Sequence, residues 1–377
     1  MTEVRAPRMV DLRLMPTAIA AWAASWWATA HPVPWPLIAA CVLAATACAA
    51  SYAWTYRHAR PPRHALTPPR SLRLASALLL TASACALAVS SAAGRSYQAD
   101  PAHTGSGPIH AKVLLMRDPA PASSGLSTRR RARVRILAVE VGQRWLTSGA
   151  TALVSAPSWR DAARGDVYEL DGTLDTTFAA EAPSVGAIRA RSARLVERPG
   201  GLDAWRRDTH SAFADVCQTL PRDARGLVPG MSIGDDRLVP SDLADAMKAT
   251  SLTHLTAVSG QHIAIILGLG LEALGALPRR WRALLGAVML TLLVILVRPS
   301  GSVLRAATMG AVMLLGVVAG RRAASVPALC SGAIVLLLID PWQSRDYGFA
   351  LSVVATAGIV IGSKPVAARF SRRLPRW

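Results

Sequence analysis

Residues 226–270 read GLVPGMSIGDDRLVPSDLADAMKATSLTHLTAVSGQHIAIILGLG. The stretch begins polar and glycine-rich, passes through a short helix and ends inside an apolar segment. Thr253, His254, Thr256, Ser259, Gln261 and His262 carry polarity well into that segment. Desolvating an unpaired polar group costs roughly 1–3 kcal/mol. A helix that only anchors would not carry them, so at bilayer depth such groups point to a water-filled cavity or a protein partner.

The rest of the chain suits a membrane protein. Of 377 residues, 52% are hydrophobic and only 17% charged, against a usual charged share of about 25%. The apolar residues cluster in runs long enough to span a bilayer. The net charge of +19 is nearly all arginine. It fits cytoplasmic anchoring of membrane loops, and it also fits a polyanionic partner. Among the five cysteines no CxxC or Cys/His pattern suggests zinc or a disulfide framework, and no metal or cofactor is expected. No small-residue cleavage site closes a short apolar core at the N-terminus, which reads as a retained anchor.

Spans are expected over about residues 14–30, 37–56 and 74–93, and again over 252–277, 283–297, 302–319, 325–339 and 347–362. Basic loops at 57–73, 279–282, 321–322 and 364–376 alternate with the poorly basic loops 31–36, 298–301 and 340–346. With the N-terminus inside, every basic loop falls in the cytoplasm. The fold class that follows is a polytopic α-helical membrane protein of about eight spans. It carries an inserted, small, all-β extracytoplasmic domain. The expected domains are 1–94 (membrane helices), 95–200 (β domain), 201–251 (interfacial helices and the glycine-rich motif) and 252–377 (membrane helices and a basic tail).

Within 95–200 the period changes to two. Residues 109–117, 131–141, 150–155, 166–174 and 185–197 read as strands separated by Pro, Gly and Ser. That number of short strands suits a small barrel such as an OB-fold. Arg131, Arg133 and Arg135 alternate with Ala132, Val134 and Ile136, which puts the cations on one face. Arg129 and Arg130 precede them, and Arg189 and Arg191 repeat the device. Such a face tracks a nucleic-acid backbone, or is simply solvated. Few aromatics are at hand for base stacking. Residues 202–220 form an amphipathic helix, with Leu202, Trp205, Phe213, Val216 and Leu220 on one side, too polar to span and suited to the interface. A short helix is expected over about 241–249.

In residues 252–277 the polar groups do not form one stripe. Either protein encloses the segment on all sides, or the helix breaks between Ser259 and Gly260, as broken helices do where they line a cavity. Arg305 sits just inside a later segment. It needs an anion or a carboxylate, and Asp340 and Asp346 are candidates, as is a phosphate in transit. A serine hydrolase built on Ser259 and His262 is disfavoured, because AVSGQ is not a GxSxG elbow.

Three ordered motifs carry a resemblance. GLVPGMSIGD with SLTHLTAVSGQHI, RPSGSVLRAATMG at 298–310 and DPWQSRDYGFALSVVATAGI at 340–359 resemble the ComEC family of competence proteins, the inner-membrane DNA-uptake channels. RGDVYELDGTL at 164–174 is a weaker likeness. The resemblance implies a channel component passing single-stranded DNA inward, without catalysis in this stretch. It implies work with other competence proteins, a DNA receptor and a cytoplasmic motor, and with a separate chain if the family's C-terminal half is encoded apart. It also implies that Gly226, Gly230, Gly234, Asp235, Thr253, His254, Ser259, Gly260, His262, Arg305, Asp346, Phe349 and Ser352 shape the path. A split member acting only as a scaffold is the alternative.

Overall fold

The computed structural model describes residues 12–58, 70–103, 105–121, 129–157, 159, 162–177, 183–235, 237–252, 260–297, 301–318 and 325–371. They fall into two compact units. One holds Met1–Gly94, Ser259–Val294 and Pro299–Trp377; the other holds Arg95–Val258 and Ile295–Arg298.

The first unit is helical. Helices α1 (Met15–Ala30), α2 (Trp35–His58) and α3 (Arg70–Gln98) precede the β region. Pro16 opens α1, where its missing N–H costs nothing, and the prolines at 32 and 34 forbid its continuation. After the β region come α7 (Gly260–Ala273), α8 (Arg279–Leu296), α9 (Gly301–Val318), α10 (Ser325–Ile339) and α11 (Tyr347–Ser371). A 3₁₀ turn, Pro341–Arg345, separates the last two. Helices thus occur at all eight expected places.

Among the described residues, one stretch is long and apolar enough to cross a membrane unaided, Ser76–Gln98 in α3. The apolar parts of α2, α7, α9, α10 and α11 are shorter. The described 14 residues of α7 rise about 21 Å, against the roughly 30 Å of hydrocarbon. Small residues let these helices approach closely. A Cβ at Gly286 would lie 2.7 Å from a Leu314 methyl, the packing expected where lipid removes the hydrophobic drive between helices. Large apolar side chains such as Leu269, Leu315, Leu351 and Ile359 point outward, while Ser25, Thr29, Ser90 and Ser91 are buried.

The second unit is built on strands β1 (Gly107–Leu115), β2 (Ala120–Pro121), β3 (Arg130–Val141), β4 (Arg144–Thr147), β5 (Thr151–Ala156), β6 (Val167–Asp175) and β7 (Ser184–Glu197). Each strand expected from the period-two pattern is present; β2 and β4 are additional. The pairings run β1–β6–β7–β5–β3 and return from β3 to β1, so these strands form a closed ring. Every pair in it is antiparallel except β5–β7. Val113, Leu115, Val134, Ile136, Val154, Trp159, Leu170, Leu174 and Ile188 fill its interior. The register slips between Lys112 and Val113, opposite Leu137. This bulge shifts the parity of β3, so Arg131, Arg133 and Arg135 face out before it and Glu140 faces out after it.

Helices α4 (Leu202–Cys217), α5 (Arg222–Ile233) and α6 (Ser241–Ala249) complete the unit. In α4, Leu202, Trp205 and Val216 are exposed. Helix α5 forms across Gly226, Pro229 and Gly230, where a glycine-rich motif and no helix is expected from the sequence.

Candidate functional site

The ring's electrostatics come from its strand rows. Arg131 stands beside Ser155, Ser155 beside Arg189, and Arg189 beside Thr173. Arg133 stands beside Leu153 in the next row. Arg131, Arg133, Arg135, Arg189 and Arg191 are all exposed. Arg131 and Arg189 lie two strand spacings apart, about 10 Å. Arg129 and Arg130 behave differently. Arg129 donates Nη2 to the carbonyls of Ser155, at 2.7 Å, and Ala190, tying β5 to β7. Arg130 donates Nη1 to the Pro119 carbonyl at 3.2 Å.

An acidic cluster gathers on the outward faces of β1, β6 and the end of β3. On β1, His110 contacts Glu140 at 2.7 Å, Glu169 at 3.0 Å and Asp171 at 3.7 Å, and packs edge-on against Trp145. Burial disfavours the imidazolium, but the hydrogen bond with Glu140 and the charges of Asp171, Glu169 and Glu140 more than offset it. The His110 pKa is raised above 6.5. The folded protein therefore holds this proton more tightly than the unfolded chain. The stabilisation is complete below 6.5 and is lost as the pH rises through the folded value. Thermal melts of the full chain in detergent should show wild type above His110→Gln at acidic pH, with the gap closing toward alkaline pH. A gap that widens with pH would reject this account.

In the helical unit, Arg305 on α9 is buried. Its guanidinium carbon lies 5.4 Å from the centre of the Phe349 ring, which packs 4.9 Å from Trp22 of α1. Trp22 donates Nε1 to the Ser344 carbonyl at 2.9 Å. Asp346 caps α11 by accepting the Phe349 N–H at 2.6 Å and acts electrostatically on Arg305. The other candidate partner, Asp340, accepts from Trp342 N–H and Gln343 Nε2 within the 3₁₀ turn. Arg345 staples that turn to α1, donating to Thr29 Oγ1 at 2.9 Å and the Trp26 carbonyl at 2.8 Å. Arg305, Asp346 and Phe349 are thus brought together. The parts of Trp22 and Arg345 were missed; their only signal was a tryptophan-rich first helix.

The glycine-rich motif lies in the other unit and is a packing device there. Gly226 is buried with no room for a Cβ, which would sit 2.6 Å from the Leu238 carbonyl oxygen and the Val239 Cα. Gly230 is buried beside Pro229. Gly234, at φ 75°, ends α5 in the left-handed conformation. This turn buries Asp235, whose carboxylate takes Arg237 in a fork with contacts of 2.6 and 2.9 Å. It also meets His210 Nδ1 at 3.6 Å, and His210 Nε2 bonds the Leu296 carbonyl at 2.9 Å. Arg237 reaches Asp118 at 3.7 Å, and Arg207 pairs with the buried Asp166 at 3.4 Å. The cluster locks α4–α6 onto the loops of the ring.

Of the other named residues, Gly260 begins α7, His262 is half-buried in its first turn, and Ser352 is half-buried in α11. Thr253, His254 and Ser259 lie outside the described residues, as does the expected break before Gly260.

Residues 231–377 match the family described as competence protein. The chain is similar to ComE operon protein 3 of Bacillus subtilis (strain 168), at 34% identity over 147 residues, 38% of this chain and 19% of that protein. The chain thus matches about a fifth of that relative's length. No solved structure matches. Residues 231–377, which hold Asp235, Arg305, Asp346 and Phe349, thus carry a competence-protein domain similar to part of ComE operon protein 3.

Proposed function

We infer that this chain is the membrane and outer-domain portion of a channel that takes single-stranded DNA across the cytoplasmic membrane. The observation that carries the reading is the exposed row of Arg131, Arg133, Arg135, Arg189 and Arg191 in a chain that also holds a competence domain. The closed ring with one parallel pair supports an OB-type barrel, a fold suited to gripping single strands. Eight spans, an internal N-terminus and an external barrel follow from the alternation of basic loops. The mechanism is electrostatic capture by the arginines, followed by passage along polar side chains and backbone between the helices. The chain works without a cofactor or catalytic group of its own. A cytoplasmic motor supplies the force, since no P-loop is present in the sequence. A DNA receptor, and a second chain if the family's remaining segments are separate, are its partners.

Cells lacking this chain should still bind labelled DNA at the surface and should fail to accumulate it in a nuclease-resistant, internal pool. Arg305→Met should insert normally and lower that pool at least about tenfold, and Arg305→Lys should not restore it, because an ammonium lacks the planar face that packs on Phe349. Normal accumulation in the null strain would overturn the transport reading and favour a scaffold.

A further inference from the structure

We propose that the β3–β4 hairpin is a membrane-interface anchor, seating its tip in the headgroup region of the bilayer from which α3 emerges. Strand β5 begins at Thr151, opposite Arg135, so residues 136–141 of β3 run on beyond it. Strand β4 folds back along them through a turn at Gly142 and Gln143, both with positive φ. Among the described residues β4 pairs with β3 alone. The hairpin exposes a large apolar side chain on each face, with Glu140 opposite Trp145. Val141 and Leu146 share one face and Trp145 lies on the other, at 39%, 42% and 46% exposure. Arg144 stands beside Val141. A two-sided apolar tip with a tryptophan and an arginine wastes surface in water. At a bilayer interface it places an amphipathic ring at headgroup depth and lets the guanidinium reach outward.

Lipid is the occupant because of where the hairpin is rooted. Asp100 lies just past the end of α3, which contains the apolar stretch Ser76–Gln98. Its carboxylate accepts from Ser148 Oγ at 2.7 Å, Gly149 N–H at 2.8 Å and Ala150 N–H at 3.1 Å. These residues directly follow β4. Tyr97, in the last turn of α3, donates to the Ser184 carbonyl at the start of β7. The hairpin therefore projects from the end of the ring at which residues 97–100 join it. The acidic patch of Glu140, Glu169 and Asp171 beside Trp145 makes a nucleic acid a poor occupant of this site.

The proposal rests on α3 crossing the membrane and not on DNA handling. To test it, the full chain, with its cysteines replaced by serine, is reconstituted in phosphatidylcholine vesicles. An environment-sensitive fluorophore is placed singly at Gln143→Cys, Val89→Cys in α3 or Thr173→Cys on the ring's exposed side. The expected result is quenching by nitroxide-labelled lipid at 89 and at 143, several-fold stronger than at 173. Quenching at 143 should persist in high salt and be lost on adding Val141→Asp with Leu146→Asp. Quenching at 89 with none at 143 overturns the anchor alone; none at either position overturns the membrane reading too. A signal at 143 that answers to added single-stranded DNA or to protein concentration, and not to labelled lipid, also overturns it.

Discussion

Binding of a single-stranded oligonucleotide to the purified full-length chain should fall about 100-fold between 50 and 200 mM salt. That figure follows if Arg131, Arg133, Arg135, Arg189 and Arg191 each meet one phosphate, since each contact on a single strand contributes about −0.7 to the slope of log affinity against log salt. Changing those arginines together to glutamine should flatten the slope to nearly zero and leave only weak, salt-independent affinity. Arg129→Gln should do the reverse. Its guanidinium is committed to the carbonyls of Ser155 and Ala190, so its loss should lower the thermal midpoint and leave the salt slope intact. Filter binding or fluorescence anisotropy reads the first effect and a thermal melt the second. A slope unchanged in the glutamine variant would place capture elsewhere on the molecule.

Asp235→Ala should destabilise the unit that holds the ring by about 2–4 kcal/mol, because it strands Arg237 and His210 against a buried site. The lower end applies because the Arg237 side chain keeps 34% of its surface in water. Asp235→Asn should cost less, since an amide oxygen still accepts from the guanidinium. Adding Arg237→Leu to Asp235→Ala should recover part of the loss, which a double-mutant cycle on denaturant midpoints would measure as a coupling energy. A single alanine variant within about 0.5 kcal/mol of wild type would mean that the cluster is not what fastens α4–α6. If Asp235 instead bordered a wet passage, its loss should alter DNA transfer while leaving the midpoint in place.

The repeating patterns were legible in the sequence. Alternation of two marked β1, β3, β5, β6 and β7, because each has one face in the core and one in water. Apolar runs marked the helices of the first unit for a similar reason. Strand β4 escaped because RWLT is too short to show a period and its turn is Gly-Gln, not Asn-Gly. Helix α5 escaped because Gly226, Pro229 and Gly230 oppose helix on propensity, and the close approach of residues 238–239 overrides them. Arg305 with Asp346 was within reach, since a buried cation demands a carboxylate. The company of Asp235 was not: Asp118, Asp166, Arg207 and His210 are dispersed along the chain and only tertiary structure gathers them. The alternation that aligned the arginines also stopped short of Arg129, whose side chain turns to the backbone.

The closed ring carries a consequence for biogenesis. Its seams join segments remote in sequence: β1 meets β6, and β5 waits for β7, which begins only at Ser184. A nascent chain that has emerged only as far as β5 exposes the unpaired edges of β1 and β5, and high contact order makes the final closure slow. On the topology proposed above, the segment between α3 and α4 crosses the bilayer before the ring has closed and acquires its shape afterwards. A stalled or clipped polypeptide ending before residue 184 would be prey for surveillance proteases.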